Sequence, residues 1–457
     1  MNLMQKENKM GTMPINKLLI SVSLPMMISM LVQAMYNIVD SIFISHYSLK
    51  ALTAVNLTFP FQNLMISVAV GTGVGINALL SRRLGEKDFD GANRAATHGI
   101  LLNYLSGILF AVIGIAVSGA FFRFQSDDAA VINYGRQYMG ICSGLSVAIF
   151  GQVTFERLLQ STGKTIYTMI TQGIGAIINI IFDPILIFGY FGFPEMGAAG
   201  AAAATVFGQA VAMVLGIIFN IRKNKEISLS FKGFKLSGDT VKRIYGVGVP
   251  SMLVASIGSV MTFGINKIFS TMDSMREDAI NVFGIYFKLQ SFAFMPLFGL
   301  NNGMVPIIAY NLGARKRKRI TSTIKFAVIY AEIIMIFCML IMQIFPDRLY
   351  GIFKASDNML RIGRHALRVI SISYPAAAFG VVSSSVFQAC GHAVLSMLVS
   401  LVRQLCVLLP VVYIIAKLTE NVMHVWYAFP IAEIFSFTLC IFFTRYVYKK
   451  EFEKLPE

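Results

Sequence analysis

The sequence predicts an all-α integral membrane fold of twelve transmembrane helices in two pseudo-symmetric six-helix lobes. Three observations carry this. First, the chain has 457 residues, 56% of them hydrophobic and 14% charged, with a mean hydropathy of +0.67. A soluble domain carries about 25% charged residues. Second, its apolar segments are long enough to cross a bilayer core, which takes about 20 helical residues. Third, the second half repeats the first. At a shift of 228, Gly135, Arg136, Gln160, Gly163 and Met169 fall on Gly363, Arg364, Gln388, Gly391 and Met397, and Leu84-Gly85 falls on Leu312-Gly313. At a shift of 225, Pro25 and Ser45 fall on Pro250 and Ser270. An even number of spans per half keeps both halves in one orientation, facing each other across an axis normal to the membrane. Transporters are built this way, with the substrate path at the interface.

Spans are expected at residues 16–46, 52–82, 93–122, 130–160, 164–190, 196–221, 240–271, 279–311, 318–346, 358–389, 393–417 and 422–447. Residues 1–15 then form a short cytoplasmic tail, 16–221 the first lobe, 222–239 a polar inter-lobe linker, 240–447 the second lobe and 448–457 a charged cytoplasmic tail. The loop around Phe345–Asn358 is expected to carry a short interfacial helix. No cleavable signal is expected, because the first apolar run continues as a full helix. The five cysteines lie in or at the ends of apolar segments, without a metal-binding spacing, so disulfides are not expected.

The net charge of +16 could suggest nucleic acid, but its distribution argues against that partner. Basic residues cluster in alternate connections: Lys6, Lys9 and Lys17; Arg82, Arg83, Lys87 and Arg94; Arg222 to Arg243; Arg315 to Arg319; and Arg445 to Lys454. The opposite connections hold few: Lys50, Arg123, Arg276, Arg348, Lys354 and Lys417. The positive-inside rule places both termini in the cytoplasm of a multi-pass cell-membrane protein. Membrane lipids are the expected surroundings of its basic face.

Ionisable residues deep in a span are costly and usually face a cavity or a partner. Asp40 on the first span and Asp183 on the fifth stand out, at similar depth in the outer half of the membrane. Gln33, Asn37 and Asp40 are spaced i, i+4, i+7 and are expected to form one polar stripe, with Tyr36 beside them. Asn179 precedes Asp183 by one turn. Thr205 and Gln209 on the sixth span could add oxygens, and the run GAAGAAAAT before them permits close helix packing. Carboxylate, amide and hydroxyl oxygens suit Na⁺. Two carboxyls sharing a low-dielectric site also tend to hold a proton. The alternative is a static hydrogen-bond network pinning spans 1, 5 and 6. Pro25, its repeat partner Pro250, and Pro184 free backbone carbonyls and are expected helix bends.

Glu156, near the inner end of span 4, is a cavity candidate with Arg157 beside it, and a local ion pair or snorkelling is the expected arrangement. Lys267, Lys288 and Arg403 lie inside spans 7, 8 and 11, and Lys288 and Arg403 are candidates for the second-lobe wall of a cavity. Glu332 and Glu433 have no clear partner in the sequence. The string STGKT (161–165) resembles the end of a P-loop, but the required earlier glycine is Leu158, so it is read as an inner loop.

These residues resemble the multidrug and toxic compound extrusion (MATE) family along essentially the whole chain. The matching features are SLP at Ser23–Pro25 with Asp40 downstream, SRRLGEKDFDGA (81–92), QSTGKT (160–165), NIIFDPILIFG (179–189) followed by GAAGAAAAT (197–205), and FMPLFGLNNGMVPIIAYNLGA (294–314). The last segment and Glu156 resemble its Gram-positive MepA-like branch. The resemblance implies a bacterial protein whose two lobes form a V around a central cavity. It implies alternating access and export of amphipathic, often cationic, drugs in exchange for H⁺ or Na⁺, with no cofactor. Asp40, Asn179, Asp183 and Thr205 take the positions of the family's first-lobe ion site. A second-lobe cation site on spans 7 and 8 is not expected, because those spans offer Lys267 and Lys288.

A secondary-active exporter, acting as a monomer, is therefore the expected function, rather than an enzyme or receptor. The runner-up is a lipid-linked oligosaccharide flippase or metabolite exporter of the same superfamily. A flippase predicts a cavity strongly lined with arginine and lysine, for which this chain offers only Lys288, Arg403 and Lys267.

Overall fold

The computed structural model describes residues 7–272, 276–353 and 355–456. Lys6 and Lys354, counted above among the basic residues of the connections, lie outside them, as does the Arg276 side chain. Among the described residues the fold is helical throughout. The first half comprises α1 (Lys9–Thr12), α2 (Ile15–Tyr47), α3 (Leu49–Gly85), α4 (Phe89–Gln125), α5 (Ala129–Gly144), α6 (Val147–Ser161), α7 (Thr165–Phe188) and α8 (Ala198–Lys223). The second comprises α9 (Gly238–Phe269), α10 (Arg276–Gly313), α11 (Arg317–Ile344), α12 (Pro346–Gly351), α13 (Asp357–Ser371), α14 (Tyr374–Ala389), α15 (Ala393–Leu401), α16 (Leu409–Thr419), α17 (Val422–Val425) and α18 (Ala428–Val447). A π-helical turn, Val402–Leu408, joins α15 to α16.

Ten helical stretches among the described residues are long and apolar enough to cross a membrane, and the bent pairs α5–α6 and α13–α14 bring the total to twelve. Spans are helical because hydrocarbon offers no partner for backbone polar groups, so each segment must satisfy its own. Side chains tie off the starts. Asp88 accepts from the Gly91 N–H at 2.8 Å to open α4, and Asp128 accepts from the Ala130 N–H at 2.8 Å to open α5. The short helix expected in the loop after span 9 is α12.

Pro25, Pro184 and Pro250 lie inside helices that continue through them. A proline removes one backbone N–H and frees a carbonyl. The two breaks bend by 43° between α5 and α6 and by 52° between α13 and α14. They are repeat partners. At the first, Ser146 donates its hydroxyl to the Gly107 carbonyl at 2.7 Å, anchoring the corner to α4. At the second, Pro375 sits in the first turn of α14, where a proline starts a helix without cost.

The two halves are locked together at one end, the end that carries the basic connections. Here α3 packs on α9, and α10 packs on α2 and α3. Glycine makes this approach possible. A Cβ on Gly75 would lie 2.1 Å from the Ile244 carbonyl oxygen. A Cβ on Gly85 would lie 1.9 Å from the Tyr310 oxygen, and one on Gly313 2.1 Å from the Arg82 oxygen. The last two contacts are mirror partners, since 228 residues separate Gly85 from Gly313 and Arg82 from Tyr310. The pseudo-twofold read from the sequence is thus visible as reciprocal contacts.

Segments at the chain ends join this seam. Met10 in α1 is fully buried, and its carbonyl accepts from Asn311 at 3.0 Å and from Arg319 at 2.9 Å. Asn8 donates to the Thr162 carbonyl at 3.1 Å, so one segment touches both halves. The linker is docked as well, with the Ser237 N–H donating to His98 Nε2 at 2.8 Å.

The seam gives a direct prediction. Ala78 and Val247 meet across it. Cysteines placed there, with the native cysteines replaced by serine, should crosslink readily. Adding Gly75→Val overpacks the seam by about 1–3 kcal/mol and should cut crosslinking about tenfold. Undiminished crosslinking would mean that the Ile244 carbonyl yields and the seam tolerates a side chain.

Candidate functional site

Helices α2, α6, α7 and α8 of the first half enclose a polar pocket of about 60 Å³. That is room for a few waters or an ion and too little for a drug-sized molecule, which takes roughly 300–1,000 Å³. The pocket exists because α7 and α8 approach through glycines: a Cβ on Gly208 would lie 2.5 Å from the Gly175 carbonyl oxygen. Within the small-residue run, a Cβ on Gly200 would lie 2.4 Å from the Leu186 carbonyl oxygen, the close packing expected there. α2 contributes Ser29, Gln33 and Tyr36, α6 contributes Gln152, α7 contributes Gln172 and Asn179, and α8 contributes Thr205 and Gln209.

The structure brings Asp40, Asn179, Asp183 and Thr205 together. Asp183 is fully buried and Asn179 nearly so. The Asn179 amide nitrogen donates to Asp183 Oδ1 at 3.3 Å and to the Thr205 hydroxyl at 3.3 Å. The carboxyls of Asp40 and Asp183 lie within hydrogen-bonding reach of each other. No cation is paired with either among the described residues. Asp40 Oδ1, Asp183 Oδ2 and Asn179 Oδ1 are buried oxygens without a hydrogen-bond partner. Three orphaned acceptors in one place are unusual, because buried acceptors are normally satisfied.

The polar stripe on α2 differs from the expected one. Asn37 is exposed and outside the pocket, while Ser29, Gln33 and Tyr36 line it. At about 100° per residue, Asn37 falls about 40° to one side of Gln33, and Ser29, Tyr36 and Asp40 fall about 20–60° to the other. The stripe is therefore 29, 33, 36, 40.

Glu156 does not form an ion pair with Arg157 among the described residues. Adjacent residues point to different sides of a helix. The Glu156 carboxylate accepts from Gln172 at 2.7 Å, Gln152 at 3.0 Å and Thr171 at 3.3 Å, beneath the pocket wall. Arg157 instead reaches across the seam, donating to Asn302 at 3.0 Å as well as to Gln160 at 2.9 Å. Lys288 does not line the second-half cavity. It is exposed, with its ammonium 5.8 Å from the centre of the Phe353 ring. Lys267 is exposed in the last turn of α9. Arg403 does line that cavity, and it supplies the partner missing for Glu433, 3.6 Å away. Thirty residues separate the two, so only the folded chain reveals the pair. The loop STGKT turns from α6 into α7 through Gly163, at φ +76°, with Lys164 paired to Glu226 of the linker. It cradles nothing resembling a phosphate site.

The Glu156 network yields a stability prediction. Glu156→Ala strands the amide donors of Gln152 and Gln172, at a cost of about 1–3 kcal/mol. Glu156→Gln keeps one acceptor and should cost less. Thermal unfolding of the purified variants in detergent checks the order, and equal melting temperatures would refute it.

Comparison with known proteins adds the following. The MatE family model matches twice, over residues 25–185 and 250–414, starting points 225 residues apart. The multidrug export protein MepA of Staphylococcus haemolyticus (strain JCSC1435) is 28% identical, the match covering 94% of this chain and 92% of that one. The protein of the same name from Staphylococcus aureus (strain MSSA476) is 25% identical over 90% of each. Among solved structures, the outward-facing conformation of a multidrug resistance MATE family transporter of the MOP superfamily superposes with a TM-score of 0.91 at 23% identity, covering 98% of this chain and 99% of that one. A MOP superfamily transporter from Pyrococcus furiosus Vc1 gives 0.90 at 23% identity, covering 97% and 98%. These structures share the fold, and the doubled match of the family model covers most of both halves: the chain belongs to the MatE family.

Proposed function

We propose that this protein is a secondary-active multidrug exporter of the bacterial cell membrane, working by alternating access. It expels amphipathic, often cationic, compounds in exchange for H⁺ or Na⁺, and is a transporter rather than an enzyme. One observation carries the reading. Asp40, Asp183 and Asn179 of the first half each hold an unpartnered, buried oxygen, and these call for a proton or a cation. Ionised carboxylates are acceptors only, so a hydrogen bond between Asp40 and Asp183 requires a proton. That contact favours H⁺. Na⁺ would draw instead on the same oxygens with that of Thr205.

In this reading the lobes are residues 16–221 and 240–447, joined by the linker 222–239. The basic end, with tails 1–15 and 448–457, faces the cytoplasm, as the clustering of lysine and arginine supports. The glycine seam closes that end, leaving a central cleft open to the outside, in a chain that acts as a monomer. Ion binding would act through differential affinity for the outward and inward states. The names of the Staphylococcus relatives support multidrug substrates. The flippase reading finds less support, since Lys288 packs on Phe353 and Arg403 is paired with Glu433.

The test is ethidium transport in proteoliposomes with ΔpH and ΔNa⁺ imposed separately. The wild type should respond to ΔpH, and Asp40→Asn and Asp183→Asn should each slow gradient-driven transport at least tenfold. A response to ΔNa⁺ alone would reassign the ion to the same oxygens. An active Asp183→Asn, or no response to either gradient, would overturn the reading.

A further inference from the structure

A second cavity, of about 240 Å³, occupies the place in the second half that the repeat assigns to the first-half pocket. At a shift of 225, its wall residues Gly258 and Met261 correspond to Gln33 and Tyr36. At a shift of 228, Arg403, Gln404 and Glu433 correspond to Gly175, Ala176 and Thr205. The contents have changed. Asp40 and Asp183 are replaced by Ile265 and Val411, and Asn179 by Val407. The cavity is larger for a structural reason. The Gly175–Gly208 approach that clamps α7 to α8 becomes Arg403 and Ser436, so the helices cannot close. Arg403 and Gln404 also sit on the π-helical turn Val402–Leu408, a distortion that recurs at functional sites.

The walls are aromatic. Phe294 meets Tyr374 edge-on at 5.4 Å, Tyr286 meets Phe429 edge-on at 5.8 Å, and Phe287 and Phe298 are open to the surface. Polar groups stand among them: Gln290, Ser291, Ser373 and Gln404, two tyrosine hydroxyls, and the Arg403–Glu433 pair. The hydroxyls of Tyr286 and Tyr374, each residue 1% exposed, lie within hydrogen-bonding reach of each other. The Arg403 guanidinium carries five N–H donors, yet its one described contact is the 3.6 Å approach to Glu433 Oε2. Its side chain is 29% exposed, against 10% for Glu433. The other carboxylate oxygen, Glu433 Oε1, is buried beside Gly380 of α14 and the Ser436 hydroxyl. A ligand entering the cavity therefore meets aromatic faces and a guanidinium more exposed than the carboxylate paired with it.

We infer that this cavity is a second ligand site, which takes a small aromatic organic anion whose carboxylate is gripped by Arg403. The guanidinium fork matches a carboxylate bidentately, and the rings supply stacking surface. A volume below the roughly 300–1,000 Å³ of drug-sized sites limits the ligand to one or two fused rings. The site owes nothing to Asp40 or Asp183, and it is read by binding, so it stands or falls apart from the exporter reading.

The probes are 1-naphthoate and, as its cationic counterpart, 1-naphthylmethylammonium, titrated calorimetrically into the full chain in nanodiscs. Trp426, the single tryptophan, is buried and stacks at 6.3 Å on Phe429 of the cavity wall, so quenching of its emission locates the probe. The wild type should bind naphthoate saturably, with quenching, at least tenfold more tightly than the ammonium. Arg403→Gln should weaken naphthoate at least tenfold, and Glu433→Gln, which frees the guanidinium, should tighten it. Should Arg403→Gln misfold, Arg403→Gln/Glu433→Gln keeps a neutral hydrogen-bonding pair and should lose naphthoate equally. Equal binding of the two probes, no saturable quenching, unchanged affinity in the double variant, or weakening in Glu433→Gln would each overturn the assignment.

Discussion

Backbone-to-backbone contact between the two halves, at the end with the basic loops, is the constraint on which the rest of this structure depends. Inside a membrane there is little hydrophobic gain in joining two apolar bundles, because lipid tails are as apolar as leucine. Association rests on close van der Waals fit and on polar groups meeting across the joint. Gly75, Gly85 and Gly313 let helix backbones approach to distances that even alanine would forbid. Around them, Arg157 reaches Asn302, and the segment at Asn8–Met13 is held by Asn311 and Arg319 on one side and Thr162 on the other. Buried aliphatic side chains share the joint, among them Leu18, Val22, Ile76 and Leu80 of the first half with Ile244, Leu300 and Ile307 of the second.

The same economy shapes the two pockets. In each half the first, fourth, fifth and sixth spans line a space, and in the second half the second span, α10, joins them with most of the aromatic wall. Where Gly175 and Gly208 let α7 and α8 touch, the space shrinks to a few waters and is lined by amides and hydroxyls. Where Arg403 and Ser436 stand instead, the helices part and aromatic rings fill the wall. One duplicated frame thus holds two chemically opposite interiors. Glu433 holds the position of Thr205, and its burial is tolerable because Arg403 comes with it.

Much of the fold was legible in the chain. The spans follow from hydropathy, because each helix must meet lipid along its length. The internal repeat forecast the reciprocal seam through Leu84-Gly85 and Leu312-Gly313. The convergence of Asn179, Asp183 and Thr205 followed from spacing and small-residue packing, and from resemblance for Thr205. What misled were side-chain directions. Asn37 sits one turn from Gln33 yet faces out, because a few tens of degrees separate a pocket wall from an exposed face. Glu156 and Arg157 are neighbours in sequence but look to different helices.

The sequence by itself therefore determined the number and length of the spans, the doubling, and which acidic residues would be buried. These depend on local composition and on the period of the helix. Only the tertiary structure decided which partners those buried groups have. It supplied Glu433 for Arg403, Asn302 for Arg157, and glutamines and a threonine for Glu156. It also placed helix breaks at residues 145–146 and 372–373. Partner choice and bending are set by neighbours remote in the chain, and one helix's periodicity carries no record of them.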